Sequence, residues 1–443
     1  MSTLADIAAE LPGYDPSDLR VADATAFLEA LAEPVQGTET LPLHEALGRV
    51  LAHDLVSPLS VPPHDNSAMD GYAFDGAALQ PGQPLQLRPV GQALAGRPWQ
   101  GQVAPGECVR IMTGAVMPAG LDTVVPQELT TPGPDGTIAI PPDVLRPGAN
   151  RRLRGEDLQE GAIALQKGEL LAPAAIGLAA SLGLQTLEVT RRLRVAYFST
   201  GDEILRPGEP PRPGAIYDSN RATLTSLLAR LGAQVIDLGA VPDDPAQIAA
   251  AFARAAAQAD AVITSGGVST GDADHTRAML QQLGDVVSWR LAMRPGRPMV
   301  VGRIARALEG KMASSPFQES ASSYENQSIL FGLPGNPVAA MVCFLVLVRP
   351  ALLRMMGVRQ QALPYLQARS SEIIRKRPGR TEYPRGIVFT APDGNLQVCT
   401  TGSQGSGMLS SMVRANGLIV LRHEQGDVAM GDLVDVMMFD AAL

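Results

Sequence analysis

Residues 264–276 read TSGGVSTGDADHT: a glycine pair closes an apolar run, and Asp272 and Asp274 follow. Gly266 and Gly267 carry no Cβ, so backbone N–H groups there can approach a ligand closely. The N-terminus of a following helix favours an anion, and a phosphate suits such a loop. Two similar loops follow strand-like segments, STGDE (199–203) and GLPGNP (332–337). Each reads singly as a tight strand-to-helix turn; three at one sheet edge favour a ligand. Neither the dinucleotide GxGxxG nor the Walker Gly-Lys-Ser/Thr pattern occurs.

Glu203, Asp243 and Asp274 each fall just after a strand of that sheet. Carboxylates beside a phosphate repel it unless a cation stands between them, and a hard ion such as Mg2+ resolves the conflict. Capping and turn chemistry is the competing reading for each acid alone. Basic residues gather in RLAMRPGRP (290–298), with Arg290, Arg294 and Arg297, and in RKRPGRTEYPRG (375–386), with Lys376, Arg380 and Arg385. Planar guanidinium forks suit oxyanions; a solvated charged face is the bland alternative. His275 reads as a first-turn helix residue rather than a base. No Ser–His–Asp or Cys–His arrangement follows from spacing.

The elements that must position these residues alternate from residue 191 onward. LRVAYFST, QVIDLGAV, DAVITSGG, PMVVGRI and SILFGLPG read as strands. SNRATLTSLLARLG reads as a helix capped by Ser219 or Asn220 and closed by Gly232, and Pro245 opens PAQIAAAFARAAAQ. DHTRAMLQQLG reads as a helix closed by Gly284. NPVAAMVCFLVLVRPALLRMMG reads as a long helix kinked at Pro350. This alternation predicts a parallel-type sheet with helices on both faces, whose ligands sit beyond the carboxyl ends of the strands.

Before 191, two helical stretches are expected in 21–54, a β-rich insertion in 55–145 and mixed helix and turn in 146–190. After about 360, GIVFTA, LQVCTT, GLIVLR and DLVDVMMF predict a small all-β, barrel-like domain. The expected division is therefore 1–54 with 146–190, then 55–145, 191–358 and 359–443, in a multidomain α/β plus β chain. The polar segment 309–327 is expected to be a surface loop.

The bulk numbers bound the function. A chain of 443 residues suggests roughly three domains. Net charge −9 argues against a nucleic-acid binder. Cys108, Cys343 and Cys399 share no metal spacing, and a reducing cytoplasm is expected. The N-terminus lacks a signal-peptide core. The longest apolar run, 339–348, is too short to span a bilayer and is expected within a buried helix.

One set of motifs occurs in order: PPHDNSAMDGYA (62–73), IMTGA (111–115), RRLRGEDL (151–158), STGDEI (199–204), IYDSN (216–220), TSGGVSTGDADHT (264–276), MRPGRPM (293–299), GLPGNPVAA (332–340) and TTGSQGSGMLSSM (400–412). From about residue 21 to 440 the chain resembles the molybdopterin molybdenumtransferases, the family that includes the C-terminal part of gephyrin. The resemblance implies a central molybdopterin-binding α/β domain. It implies insertion of molybdate into adenylylated molybdopterin, giving molybdenum cofactor and AMP, in an elongated homodimer whose partner subunit helps form the site.

By the same resemblance, Asp70, Thr113, Asp157 and Glu203 are catalytic positions. Asp218, Ser265, Gly266, Gly267, Ser269, Pro334, Gly335, Asn336 and Pro337 bind the pterin phosphate or pyrophosphate. Mg2+ sits on Asp243 and Asp274 with Glu203. Ser406, with Arg380 and Arg385, is linked to molybdate, and Arg294 and Arg297 stand where many relatives carry a Lys-Pro-Gly-Lys stretch. Transient contact with a molybdopterin adenylyltransferase and with apo-molybdoenzymes is implied, and no nucleic acid or membrane. Two alternatives stand beside this reading. Adenylyl transfer from ATP is disfavoured by the N-terminal motifs and the C-terminal β domain. A non-enzymatic scaffold is disfavoured by the intact acidic and glycine motifs.

Overall fold

The computed structural model describes residues 3–266, 284–305, 327–359 and 363–442. A strand buried on both faces needs consecutive apolar residues, and Val195, Ala196, Tyr197 and Phe198 are all fully buried. They form the middle of β1 (Arg194–Thr200) in a six-stranded sheet. The chain continues through α1 (Ser219–Arg230), β2 (Gln234–Val241), α2 (Pro245–Gln258) and β3 (Ala261–Ser265). Beyond these come β4 (Gly284–Arg290), β5 (Pro298–Ala305), β6 (Gln327–Leu333) and α3 (Pro337–Met355).

The spatial order is β2-β1-β3-β6-β5-β4. The first four strands run parallel, as the sequence predicts. β5 and β4 close the sheet with an antiparallel edge, which makes it mixed. Alternate residues of β1 serve opposite faces. Val195 and Tyr197 join Leu224 and Leu228 of α1 and Phe344 of α3. Ala196 and Phe198 join Ile248 and Phe252 of α2, with Phe198 edge-on to Phe252 at 4.9 Å between ring centroids. Helices therefore cover both faces, and all four parallel strands present their carboxyl ends at one edge.

Several local expectations are corrected. Gly284 opens β4, where a Cβ would collide with the Arg303 carbonyl across the strand pair; the helix expected to end there lies outside the described residues. The cap of α1 is Asp218, whose side chain accepts from Arg221 N, rather than Ser219 or Asn220. The expected second helix of 21–54 is absent. Thr38–Pro42 pairs instead with Thr186–Thr190. Gly48 sits at φ +71, and the backbone of Gly48, Val50 and Leu51 bonds to Leu171, Thr190 and Glu169. Sheet-type partners thus take the amides a helix would need. The kink at Pro350 takes the form of a π-helical turn, Phe344–Val348; proline has no N–H for the carbonyl four residues back in that turn. At 19 residues α3 extends well beyond the apolar run 339–348 and is long and apolar enough to cross a bilayer. It is nonetheless the core helix, with Val338, Val342, Val348 and Leu352 fully buried.

Outside the central sheet, residues 71–140 supply a second six-stranded sheet, built on Gly71–Phe74, Leu85–Ala93, Glu107–Ile111 and Thr123–Pro126 with two short edge pieces. The C-terminal strands Leu366–Ser370, Arg385–Thr390, Leu396–Thr400, Gly417–Val420 and Leu433–Met438 close into a barrel around Val398, Ile419 and Val436. That barrel is stitched to the central unit by parallel pairing of Met293–Arg294 with Thr381–Glu382.

Candidate active site

The three glycine loops meet at the carboxyl ends of β1, β3 and β6. Gly266 N donates to the Leu333 carbonyl at 3.3 Å. Its φ is +90, and a Cβ there would stand 2.6 Å from the Thr200 carbonyl, so this crossing of loops needs glycine. Asn220 Nδ2 donates to the Gly335 carbonyl at 2.7 Å, binding the start of α1 to the turn before α3. Below them the strand ends are locked by buried hydroxyls. Tyr197 and Ser265 share a bond of 2.6 Å, and Ser199 donates to Asp218, which also caps α1. Burial pushes the Tyr197 phenol well above its ordinary pKa, against the opposing Ser265 bond, so it stays neutral.

Two buried polar atoms at this junction, Thr200 Oγ1 and Asn220 Oδ1, have no hydrogen-bond partner among the described residues. Such an atom costs about 1–3 kcal/mol when left unmade, and a bound ligand's polar edge would satisfy both. Asn336 stands at the exposed start of α3 with no side-chain cap bond, and Pro337 follows at the first helical position. Pro334 is buried beneath.

The acids stand at the same edge. Glu203 is exposed, with its carboxylate against the space left by Gly201. Asp243 N donates to Asp202 Oδ1 at 3.1 Å, so the loops after β1 and β2 are neighbours. Their oxygens are hard donors of the kind Mg2+ takes. Among the described residues, no three acid, His or Cys side chains gather into a complete metal site. Gly267, Ser269, Asp272, Asp274 and His275, and the segment 309–326, lie outside the described residues.

The arginines separate into three environments. Arg294 and Arg380 converge on one carboxylate, Glu382, at 3.8 and 2.8 Å, with side chains 57% and 39% exposed. Arg297 turns the other way, 4.0 Å from Asp18. The Arg294–Arg297 turn therefore does not aim both guanidinium groups at one point. Arg385 is only 1% exposed and is bonded within the barrel; burial, then nearby Arg294, lowers its pKa. Ser406 lies on the loop that meets the glycine junction: Val338 N, in the first turn of α3, donates to its carbonyl at 3.1 Å.

Asp70 and Thr113 form a separate patch. Thr113 donates both its N–H and its hydroxyl to Asp70 Oδ1 at 2.7 Å, which lowers the carboxyl's pKa. Asp157 lies on a loop whose backbone bonds to Val61 and Pro62, in the segment leading to Asp70. No hydrogen bond or ion pair among the described residues joins this patch to the sheet edge. Sequence reasoning missed Thr200, Asn220 and Glu382. All three lie in or beside quoted motifs, but Asn220 reads as a cap and Glu382 as one charge in a basic run.

An α/β unit with a glycine-lined sheet edge, an N-terminal β insertion and a C-terminal barrel carrying an arginine cluster defines a multidomain α/β plus β protein. Known proteins narrow this. Residues 19–183 match the profile of the MoeA N-terminal region (domain I and II), residues 196–354 a probable molybdopterin binding domain, and residues 367–439 the MoeA C-terminal region (domain IV). A molybdopterin molybdenumtransferase of Haemophilus influenzae is 40% identical over 94% of this chain and 97% of its own. Molybdopterin molybdenumtransferase 2 of Mycobacterium tuberculosis is 36% identical over 90% and 94%. Two crystal structures of the molybdopterin biosynthesis MoeA protein of Pyrococcus horikoshii superpose with TM-scores of 0.78 and 0.71. Their identities are 25% and 28%, each over 96% of this chain and 99% or more of theirs. The chain belongs to the molybdopterin molybdenumtransferase family, transferases of molybdenum cofactor biosynthesis.

Proposed function

We propose that the chain inserts molybdate into adenylylated molybdopterin, forming molybdenum cofactor and releasing AMP, in an Mg2+-dependent reaction. The observation that carries this reading is the meeting of two sites of different chemistry, through Val338 N–H and the Ser406 carbonyl. The glycine loops suit a pterin phosphate or pyrophosphate. The arginines on Glu382 suit a tetrahedral dianion, and an adenylyltransferase working from ATP has no use for that second oxyanion site.

Ser265 and Gly266 fix the end of β3 through their bonds to Tyr197 and the Leu333 carbonyl, and the residues that follow them, Gly267 and Ser269, are assigned to the phosphate. Pro334 to Pro337 form the facing wall, and Asp218 fixes the strand end and helix start between them. Thr200 and Asn220 take the polar edge of the heterocycle. Glu203, Asp243 and Asp274 would hold Mg2+, which when bound polarises the phosphoanhydride. Arg294 and Arg380, with Ser406, hold molybdate, and Arg297 adds charge from the same turn. The Asp70, Thr113 and Asp157 patch reaches this edge from the partner protomer of a homodimer, which agrees with its separation from the edge within one chain. The domain division 1–54 with 146–190, 55–145, 191–358 and 359–443 places the reaction at the central domain. The free thiols Cys108, Cys343 and Cys399 suit the cytoplasm. Contact with the adenylyltransferase that supplies the substrate, and with the apoenzymes that take the product, is expected to be transient.

The test is AMP release from adenylylated molybdopterin with molybdate and Mg2+, without ATP. Stoichiometric AMP and active cofactor support the reading. ATP consumption with no AMP released from the adenylylated substrate would assign the adenylyltransferase reaction instead.

A further inference from the structure

We propose that the cleft between the N-terminal region and the π turn of α3 binds a small oxyanion with an aliphatic body. The proposal is independent of the reaction set out above and uses none of the residues assigned to it.

The cavity measures about 370 Å³, within the range of roughly 300–1,000 Å³ usual for small-molecule sites, which favour such junctions between domains. Leu47 and Leu170 come from the N-terminal region, Arg230 from the end of α1, and Phe344 and Arg349 from α3. Leu47 and Leu170 are 55% and 50% exposed, so apolar surface faces water at the mouth. The form of α3 supplies a second observation. Arg349 N donates to the Phe344 carbonyl five residues back, in the π turn. In a regular α-helix residues five apart stand about 140° apart around the axis. The wider turn brings Phe344 and Arg349 to one cavity, and such turns recur at functional sites.

The chemistry of the lining selects the ligand. Among the described lining residues every polar side chain is an arginine: Arg192, Arg230 and Arg349. They gather there in a chain of net charge −9. A guanidinium donates and does not accept, so a sugar or a nucleobase, which must also donate, finds no side-chain acceptor. A carboxylate or phosphate matches the planar forks. Arg192 is already aimed, its Nη1 donating to the Gly232 carbonyl at 2.9 Å. Neither it nor Arg230 takes part in a salt bridge among the described residues. The last turn of α1 suits the charge of Arg230 to the helix dipole, but the dipole does not account for three arginines around one apolar cavity. The apolar side chains there are leucines apart from Phe344, which is 1% exposed and offers no open ring face. The body of the ligand is therefore aliphatic.

The experiment titrates the full chain calorimetrically with three probes: octanoate below its micellar range, 1-octanol, and inorganic phosphate. Octanoate carries both the body and the anion, and each of the others carries one. The expected result is one saturable octanoate site per chain, with octanol and phosphate each about 10-fold weaker or more. Arg230→Glu and Leu170→Trp, both at exposed positions, should each weaken octanoate by about 10-fold or more, the first by reversing a charge and the second by filling the mouth. Their melting temperatures should stay close to wild type. In the wild type alone, octanoate should slow amide hydrogen exchange at 47–50, 227–232 and 344–353, which decides the matter even if the variants fail to fold. Octanol binding as tightly as octanoate would reduce the cleft to an apolar patch and overturn the proposal. Phosphate binding as tightly would reduce it to a cluster of charge, with the same result. Octanoate affinity unchanged in both variants, or exchange in those three segments that octanoate does not alter, also overturns it.

Discussion

Gly266→Ala tests the interlocking of the first and third strand-end loops. The new Cβ would stand 2.6 Å from the Thr200 carbonyl oxygen and 3.1 Å from Thr200 Oγ1. Ordinary contact begins near 3.4 Å, so the Thr200 backbone must retreat by about 0.8 Å. The residue also sits at φ +90, where an L side chain costs about 1–2 kcal/mol. Overpacking against backbone adds about 1–3 kcal/mol, for a total of roughly 2–5 kcal/mol. At about 2–4 °C per kcal/mol for a domain of this size, Tm should fall by roughly 4 °C or more. The displaced residue leads directly into Gly201 and Glu203, and a misplacement near 1 Å costs about 10²-fold in turnover. Gly239→Ala is the control: it lies in β2 at φ +80 with no atom within 4 Å of the new Cβ. It should show the backbone penalty alone and wild-type turnover. The assays are differential scanning calorimetry and AMP release. If the two variants lost equal stability and both kept turnover, the interlocked loops would not form the active edge.

The remaining predictions concern charge. Thr113→Val removes the hydroxyl donor that, with the Thr113 N–H, holds the Asp70 carboxyl below its usual range; the acid limb of kcat/KM should move to higher pH, and an unmoved limb would separate Asp70 from catalysis. Chelation with EDTA should abolish AMP release and Mg2+ restore it; undiminished release after dialysis against chelator would remove the metal from the reaction. Asp260 is 3% exposed and is bonded by Arg191 and by the backbone and side chain of Arg194. Burial alone would raise its pKa, but those bonds outweigh it and hold the carboxyl well below the ordinary value. A depressed folded pKa stabilises above the unfolded pKa near 4 and is lost as pH falls through the folded value. Asp260→Asn should therefore lose about 3–5 kcal/mol at neutral pH, with the gap to wild type narrowing below about pH 4. A gap independent of pH down to acid unfolding would contradict the assignment.

The sequence made the parallel core legible because its physics is local. A doubly buried strand must be continuously apolar, and LRVAYFST and DAVITSGG can be little else. The failures come where one residue type serves two purposes. Gly284 reads in sequence as a helix terminator, while its need for a bare Cα beside the Arg303 carbonyl comes from the strand opposite and leaves no local signal. Asp218, Ser219 and Asn220 are all good caps; the choice falls to Asp218, and Asn220 is thereby freed to hold Gly335. In 41–54 the helical spacing of apolar residues is real, but strand partners more than a hundred residues away take its amides.

The same ambiguity is sharper at the site. Arg380 and Arg385 stand in one basic run with equal claims on an oxyanion. The barrel pairs the backbone of Arg385 with Leu418 and closes Ser411 and the 403–405 carbonyls over its side chain, while Arg380 stays at the rim beside Glu382. A guanidinium surrounded by carbonyls organises the chain, and one half-open beside a carboxylate can exchange that partner for a ligand. Charge read along the sequence marks both arginines alike. Which of them stays open to solvent is a matter of burial, set by the closure of the C-terminal strands, and that closure joins residues too far apart in sequence to be read from the run itself.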